Sequence, residues 1–452
     1  MKYTIIAVLI SLGFNSMAQE PLSLSDAIAK GLENNYDINI ERKNVEIAEN
    51  NNSWGEAGRY PSITLSIAQN NRLTDNIKTA SPFQLQDQTM SNSLNPSINL
   101  NWTLFGGFRA NISKNRLEEL QAQSYGNADI VIANTLQSII LGYYRAVLEK
   151  ERLEEFKKQL TLSGDKFEYT RVKSEIGSAV SSDLLLEEAN YLTDSVNFIN
   201  QELSYRNAII DLNVLLGVQD VERTYEFTDA LETELDEYEM ADLMARLETQ
   251  NVDLKKQYIS NQLLSYDVRL SRSEKYPQLT LNAGHSHDRS RVDLSNAMFP
   301  SPDGTSSPGP SEPLSAVTDV YFANFTLSYT LFNGRKINRA IENVLIREDI
   351  ENIRTEKLKN ALYGDLAKAL DQYQIRTRLY RISSRRKEAT QTTLQIVEEK
   401  FKNGTINSFD YRTVQNDNLS AGIQELQSLY NVIDAKVKLM RLTGGIIESY
   451  TE

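Results

Sequence analysis

The chain has 452 residues, 48 basic and 61 acidic side chains, no cysteine and a formal net charge of −13 at pH 7. This balance argues against a nucleic-acid-binding protein, because phosphate groups require a basic surface patch and the sequence contains none. The lack of cysteine excludes disulfide bonds and a lipid anchor on a mature N-terminal cysteine. An exported chain of this composition must be stabilised by packing or by oligomerisation.

The first residues have the pattern of a secretory signal peptide. Lys2 precedes an apolar run of about a dozen residues, which leads to the small-x-small triplet from Ser16 to Ala18. The run is shorter than the roughly 20 residues of a membrane-spanning helix. We expect residues 1–18 to be a signal peptide cleaved near Ala18; the alternative is an ordinary buried N-terminal helix.

The positions of proline predict two zones of long helix. All ten prolines lie within residues 21–96 and 277–313, and proline disrupts helix interiors. In the remaining zones apolar residues recur at helical spacing in one narrow stripe, as in Leu136, Ile139, Ile140, Tyr143 and Val147. Such a stripe is typical of coiled-coil packing. Residues 109–173, as one helix, would reach on the order of 100 Å.

Four sequence landmarks occur twice in the same order, which indicates an internal duplication. They are YPSITL at 60–65 and YPQLTL at 276–281, WTLFGG at 102–107 and YTLFNG at 329–334, the turns at 177–183 and 404–410, and the ends Leu216-Gly217 and Thr443-Gly444. The second copy is longer in the stretch Pro300–Pro313, which predicts an enlarged surface loop. We therefore predict a first repeat at 19–217, a linker at 218–236, a second repeat at 237–445 and a C-terminal tail at 446–452.

Each repeat is predicted to contain a helix, two strands and a long helical hairpin. The strands are predicted at about 62–71, 96–105, 278–287 and 321–332, where apolar residues alternate with small polar ones. Each strand has about the ten residues of a tilted membrane strand, and aromatic residues such as Tyr60 and Trp102 lie near strand ends. No segment after the signal peptide has a continuous apolar run long enough for a membrane-spanning helix, so any membrane crossing must use these strands. The alternative is two soluble hairpins packed on a helix.

Four strands cannot close a barrel, so several chains must share one. Open sheet edges in lipid leave backbone groups without hydrogen-bond partners, at several kcal/mol each. A dimer would supply eight strands and a trimer twelve. An eight-stranded barrel is filled by side chains, whereas a wider barrel can conduct.

The duplicated order of elements resembles the TolC-type outer-membrane efflux proteins, or outer membrane factors. Each copy consists of a helix, a strand with Tyr-Pro-x-[IL]-Thr-Leu, a strand that ends in Leu-Phe-[GN]-Gly, a long helix, a Gly-containing turn and a return helix. The resemblance covers the mature chain. It implies a mainly α homotrimer with a shared 12-stranded outer-membrane β-barrel in lipid and a periplasmic α-barrel of coiled-coil helices. Such a trimer serves a tripartite efflux pump or a type I secretion system. It docks an inner-membrane transporter through a periplasmic adaptor and passively conducts small molecules or secreted proteins.

The resemblance also implies functional positions. It places six residues at the periplasmic tip, where the adaptor binds: Gly177, Ser178, Ala179, Gly404, Thr405 and Ile406. The candidate aperture is Asp410, Thr413 and Asp417, with Asp183 as the equivalent acidic residue of the first repeat. The best-known members have a second carboxylate at the position of Thr413, and some have a latching arginine at that of Ile406, so this chain departs from them. The simpler roles are a left-handed helix cap for the glycines and a first-turn carboxylate for the aspartates.

The sequence offers no candidate for catalysis, cofactor binding or a metal site. It lacks a glycine-rich phosphate loop and a cysteine nucleophile. The two histidines, His285 and His287, have no carboxylate at ligand spacing in the neighbouring sequence. We predict that the protein is not an enzyme. The alternative to the channel is a periplasmic coiled-coil scaffold without a pore.

Overall fold

The computed structural model describes residues 20–80, 83–300 and 305–451. The predicted signal peptide lies outside these ranges. The chain forms two compact units. The helical unit comprises the residues up to Val45, Ser124–Gln257 and the residues from Thr355 onward, and the strand unit comprises Glu46–Gln123 and Tyr258–Arg354.

The first half of the chain ends in a long helical hairpin, as predicted. Its elements are β1 (Glu20–Leu22), α1 (Leu24–Asn34), α2 (Tyr36–Asn51), β2 (Ser62–Ala80), β3 (Phe83–Gly106), α3 (Arg109–Glu175) and α4 (Ser181–Leu216). Ser23 caps α1 with a reciprocal capping box to Asp26, which satisfies the first free amides of that helix.

The second half repeats this order of elements. It contains β4 (Tyr225–Phe227), α5 (Met240–Gln250), α6 (Val252–Ser273), β5 (Gln278–Asp293), β6 (Met298–Pro300), β7 (Ser306–Pro308), β8 (Leu314–Ser328), α7 (Lys336–Lys402), α8 (Ser408–Leu442) and α9 (Gly445–Thr451). The long helices α3 and α7 both have 67 residues. The small β6–β7 hairpin falls in the stretch predicted to be an enlarged loop.

The membrane-type strands are longer than predicted, and one of them is shifted. They span 19, 24, 16 and 15 residues rather than about ten. The prediction of a strand at 321–332 was wrong at both ends, because β8 runs from Leu314 to Ser328. Ser328 pairs with Gln278, the first residue of β5, so the chain beyond Ser328 has no strand beside it.

The predicted linker and tail are both structured. Within 218–236, β4 pairs in parallel with β1, so each half begins with a short strand. Within 446–452, α9 buries Ile446 completely. Three-residue strands and a seven-residue helix carry too little periodicity to be found by pattern, and packing on the core determines them.

The core of the helical unit contains the predicted stripe of α3. Leu136, Ile139, Ile140 and Tyr143 are at most 1% exposed and belong to one cluster with residues of α4 and α8. By length and composition α3 also passes as a membrane-spanning helix, with a mean hydropathy of 1.2 over 18 residues, although we predicted none. The apolar face of α3 is buried in the core of the helical unit, as expected for a core helix.

Two buried asparagines fix the two halves in the same way. Asn35 caps α2 by accepting a hydrogen bond from the amide of Ile38, and its Nδ2 donates to the Leu215 carbonyl at 2.9 Å. Asn251 likewise accepts from the amide of Leu254 and donates to the Leu442 carbonyl at 2.9 Å. Each asparagine thus joins the start of one helix to the end of the return helix.

The strand unit contains an open, four-stranded antiparallel sheet in the order β2-β3-β5-β8. One row across it runs Leu65, Ile98, His285 and Tyr321. Within one chain β2 and β8 are edge strands, as expected if four strands do not close a barrel.

The two faces of the sheet differ in polarity, because successive side chains of a strand point to opposite sides. The register places the predicted apolar residues on one face: Ile63, Leu65, Ile67, Ile98, Leu100, Trp102, Leu279, Leu281, Phe325 and Leu327. The other face carries small polar residues: Thr64, Ser66, Asn99, Asn101, Thr280, Asn282, Asn324 and Thr326. On the apolar face Leu65 is 71% and Leu327 70% exposed.

Candidate functional site

The turns of the two helical hairpins have the same geometry. Gly177 (φ +74°) and Gly404 (φ +71°) adopt the left-handed conformation. The amide of Ser178 donates to the carbonyl of Lys173 at 2.8 Å, and that of Thr405 to the carbonyl of Lys400 at 2.9 Å. These are Schellman caps, which satisfy the last carbonyls of α3 and α7. The structural role of both glycines predicted from the sequence is therefore confirmed.

The space around these glycines leads to a stability prediction. A methyl group on Gly177 or Gly404 would meet no atom within 4 Å, so Gly177→Ala and Gly404→Ala should cost only the left-handed strain, about 1–2 kcal/mol each. Gly217, also left-handed, would place its Cβ against the Asn34 carbonyl. Gly217→Ala should therefore lower the thermal unfolding temperature, followed by circular dichroism, more than either turn variant. Equal shifts for all three variants would contradict the steric argument.

The two return helices begin differently. Asn407 caps α8 by accepting a hydrogen bond from the amide of Asp410 at 2.8 Å, and its Nδ2 donates to the Asp410 carboxylate at 2.9 Å. Val180 at the start of α4 has no side-chain cap. Asp183 lies in the first turn of α4 and is exposed. Both aspartates thus occupy the first-turn position that favours a carboxylate.

The candidate aperture residues share one face of α8. Asp410, Thr413 and Asp417 are all exposed, and their spacing of three and four residues aligns them along the helix. Beyond Phe409, which is 71% exposed at the turn, the exposed residues beside them, Asn416 and Ser420, are also polar. This face of α8 is therefore suited to water.

The exposed face of α4 is apolar instead. Five aliphatic residues, each 55–64% exposed, follow the spacing of coiled-coil contact positions: Leu185, Leu192, Val196, Ile199 and Leu203. We call this set the α4 seam. Nothing in the described part of the chain covers it, so it is suited to packing against a helix of another molecule.

Helix α7 exposes a second seam. Ile375, Leu379 and Ile382 are 48%, 53% and 61% exposed at helical spacing, and we call them the α7 seam. Exposed arginines, Arg378 and Arg385, flank it. The return helix α8 presents a polar face, whereas α4 and α7 present apolar seams.

A buried ion pair joins the two hairpins close to their turns. Lys166 of α3 lies 3.0 Å from the Glu187 carboxylate of α4, and both side chains are at most 5% exposed. Ser408 at the start of α8 donates to Glu187 at 2.8 Å. Lys166 also lies 5.0 Å from the ring centres of Phe401 and Tyr411. Burial lowers the pKa of Lys166 below its usual value, while the ion pair with Glu187 acts in the opposite direction.

A second buried ion pair lies further along the same hairpins. Arg412 of α8 binds both carboxylate oxygens of Asp194 in α4, each at 2.6 Å. Gln159 of α3 donates to the same carboxylate at 3.3 Å. A bidentate arginine–carboxylate pair is strongly directional, so these contacts fix α8 against α4.

Hydrophobic periodicity does not predict this network. Leu153, Phe156 and Leu160 continue the apolar helical spacing of α3 toward the turn, but they are only half-buried. The buried positions are polar: Gln159, Ser163, Lys166 and Thr170. Their spacing of four, three and four residues is that of a contact stripe, and a search for buried polar residues at this spacing would have found it.

The two histidines share a carboxylate that is more than 30 residues away in the sequence. His287 Nδ1 lies 2.9 Å and His285 Nε2 3.6 Å from one oxygen of Asp319 on the neighbouring strand. His285 also stacks on Tyr321. Among the described residues, no group of three or more His, Asp or Glu side chains is arranged to hold a metal ion.

The comparisons with known proteins agree with this architecture. Residues 243–445 match the family described as outer membrane efflux protein. The CmeC outer membrane channel of Campylobacter jejuni superimposes with a TM-score of 0.71 at 15% identity, over 93% of this chain and 85% of that one. The outer membrane protein VceC of Vibrio cholerae superimposes with a TM-score of 0.67 at 12% identity, over 93% of this chain and 96% of that one. The open state of the MtrE channel of Neisseria gonorrhoeae superimposes with a TM-score of 0.69 at 15% identity, over 93% of this chain and 88% of that one.

The predicted resemblance to the efflux family and the predicted mainly α fold with long helices and a β portion are confirmed. The matched family and the solved relatives are outer-membrane efflux proteins and channels rather than enzymes. No significantly similar sequence is found among curated proteins. The solved relatives, at these identities, establish the fold alone.

Proposed function

We propose that three copies of this chain, whose second half matches the outer membrane efflux family, form a passive channel across the outer membrane and the periplasm. The channel serves a tripartite efflux pump or a type I secretion system. It binds a periplasmic adaptor, which connects it to an inner-membrane transporter. The observation that carries this proposal is the open sheet with one apolar and one polar face.

The sheet requires partner strands and two different solvents. An exposed apolar face is suited to lipid, and the opposite face of Asn, Ser and Thr is suited to water. The edges β2 and β8 need hydrogen-bond partners in lipid, and neighbouring copies supply them. Three copies give twelve strands, a barrel wide enough to conduct, whereas two copies give a barrel filled by side chains.

The seams of the helical unit are suited to a ring of copies. Gln201 of α4 donates to the Glu149 carbonyl of α3, and Lys387 of α7 pairs with Glu155, which lies about 9 Å further along α3 toward the turn. The α7 seam therefore lies level with the end of the α4 seam around Leu203. Copies related by rotation without a shift along the axis bring the two seams together, which closes a ring rather than a filament.

The turns provide a surface for the adaptor. Ile176 and Val180 beside the first turn are 72% and 67% exposed, and Phe409 beside the second is 71% exposed. Large exposed apolar side chains at the end of a hairpin are suited to binding another protein. We therefore assign the adaptor contact to the turns at Gly177–Ala179 and Gly404–Ile406.

Fractionation and gel mobility test the proposed function. The protein should sediment with outer membranes, require detergent for extraction and migrate as a trimer when it is not boiled. A chain that stays monomeric and partitions into the aqueous fraction would support the periplasmic scaffold instead. Ion conductance in planar bilayers would then test the pore itself.

The aperture can be tested at Asp410. If the polar face of α8 lines the narrowest part of the channel, removing this carboxylate weakens the attraction of cations there. Asp410→Ala should reduce block by divalent cations in planar bilayers by several-fold. The matched control is Asp183→Ala, which removes the equivalent carboxylate of the first repeat. Unchanged cation sensitivity of Asp410→Ala would exclude an aperture at this residue.

A further inference from the structure

The apolar face of the sheet carries, far from its start, two arginines that the channel function does not use. Beyond the row of Tyr321, the same face carries Arg289 and Arg291 of β5, and both are exposed. Asn92 of β3 is the cross-strand partner of Arg291. Asn71 of β2 is in turn the partner of Asn92. These side chains form a row of hydrogen-bond donors across three strands.

The nearest carboxylates on this face are already engaged. Asp319 contacts His287 Nδ1 at 2.9 Å, and Asp293 accepts a hydrogen bond from the amide of Ser295 at 3.0 Å. In the ranges that the structure describes, neither Arg289 nor Arg291 forms an ion pair with a carboxylate. Arg291 attracts Asp293 electrostatically without forming an ion pair, and both guanidinium groups keep hydrogen-bond donors for an external anion.

The position of the arginines matches the thickness of a membrane. Leu279, near the start of the apolar face, and Arg289 are ten residues apart on one strand, which corresponds to about 33 Å along the strand. A tilt of about 40° reduces this to about 25 Å along the membrane normal, the height of the apolar band of an outer-membrane barrel. Arg289 and Arg291 then lie at the membrane surface, with apolar residues such as Leu65 in the lipid below them.

We propose that Arg289 and Arg291 bind the phosphate group of an anionic membrane lipid whose acyl chains lie on the adjacent apolar face. The guanidinium group suits this role, because its planar donors match phosphate oxygens in a bidentate manner. The lipid belongs to the leaflet at which the β2–β3 and β5–β8 connections emerge. This inference rests on the proposed membrane location of the sheet.

Native mass spectrometry of the protein in neutral detergent tests the inference. The probes are dimyristoyl phosphatidic acid and dimyristoylglycerol, which have the same acyl chains and differ in the phosphate group. We expect wild type to bind phosphatidic acid at least tenfold more tightly than dimyristoylglycerol. The double variant Arg289→Gln/Arg291→Gln should lose most of this preference and keep its affinity for dimyristoylglycerol.

The same sheet offers a matched control. Arg72 of β2 is exposed on the opposite, polar face, so Arg72→Gln should leave the preference unchanged within about twofold. Competition by millimolar inorganic phosphate would show a site for free phosphate and would overturn the assignment to a lipid. Equal binding of the two lipids by wild type would overturn the inference without using any variant. A trimeric channel without this preference would refute the lipid site alone, whereas a protein outside the outer membrane would refute the proposed function.

Discussion

Arg412→Leu is expected to lower the free energy of unfolding by about 3–5 kcal/mol, because it leaves the Asp194 carboxylate buried without its partner. The Asp194 side chain is 3% exposed and Arg412 13%, so water cannot replace the lost contact. Gln159 supplies only one longer hydrogen bond. Urea unfolding of the detergent-solubilised protein, followed by circular dichroism, measures the loss.

Two further variants separate the buried charge from other effects. Arg171→Leu removes an arginine from exposed ion pairs with Glu168 and Glu175, and should change stability by less than about 1 kcal/mol. The double variant Arg412→Leu/Asp194→Leu should recover most of the stability, because no unpaired charge remains. If Arg412→Leu were as mild as Arg171→Leu, the pair would not fix α8 against α4.

Ile199→Asp is expected to abolish the trimer. Ile199 belongs to the α4 seam, one helical turn from Leu203, and is 61% exposed in the single chain. An aspartate there would be buried against the α7 seam of the neighbouring copy, and an unpaired buried carboxylate costs several kcal/mol at each of three interfaces. The unboiled sample should then migrate as a monomer on a gel.

The control must place the same residue on an exposed helix surface outside the seams. Thr161 of α3 is exposed, so Thr161→Asp also introduces an aspartate into a long helix but does not enter a seam. This variant should remain trimeric. A trimer that survives Ile199→Asp would show that the α4 seam does not mediate assembly.

The long helices and the duplication could be predicted from the sequence because their signals are long. Proline-free zones and a repeated order of landmarks extend over many residues, and the 67-residue helices follow from them. The faces of the sheet were also predictable, because alternation at Ile63 and Leu65 requires only the period of a strand. The sequence did not reveal how far the strands extend beyond the apolar band, since their outer parts, such as Arg289–Asp293, lack that alternation.

The buried ion pairs were not predictable by hydrophobic periodicity. Lys166, Glu187, Asp194 and Arg412 are charged residues, which a periodicity analysis assigns to solvent. Only the packing of α3, α4 and α8 shows that these residues face each other. The turn glycines were easier, because a glycine between two long helices has a specific backbone role. The α4 seam, in contrast, was visible in the sequence as regularly spaced aliphatic residues and was not singled out.

The equal length of α3 and α7 constrains how this protein can change during evolution. Each helix carries its own turn, and contacts such as Lys166 to Ser408 hold the two turns at matched levels. Deleting one helical turn from α3 alone would move its tip by about 5.4 Å and separate these partners. Removal of one heptad from both helices of both helical hairpins would preserve every contact stripe. Lineages can therefore lengthen or shorten this molecule only by coordinated changes in four distant parts of the gene.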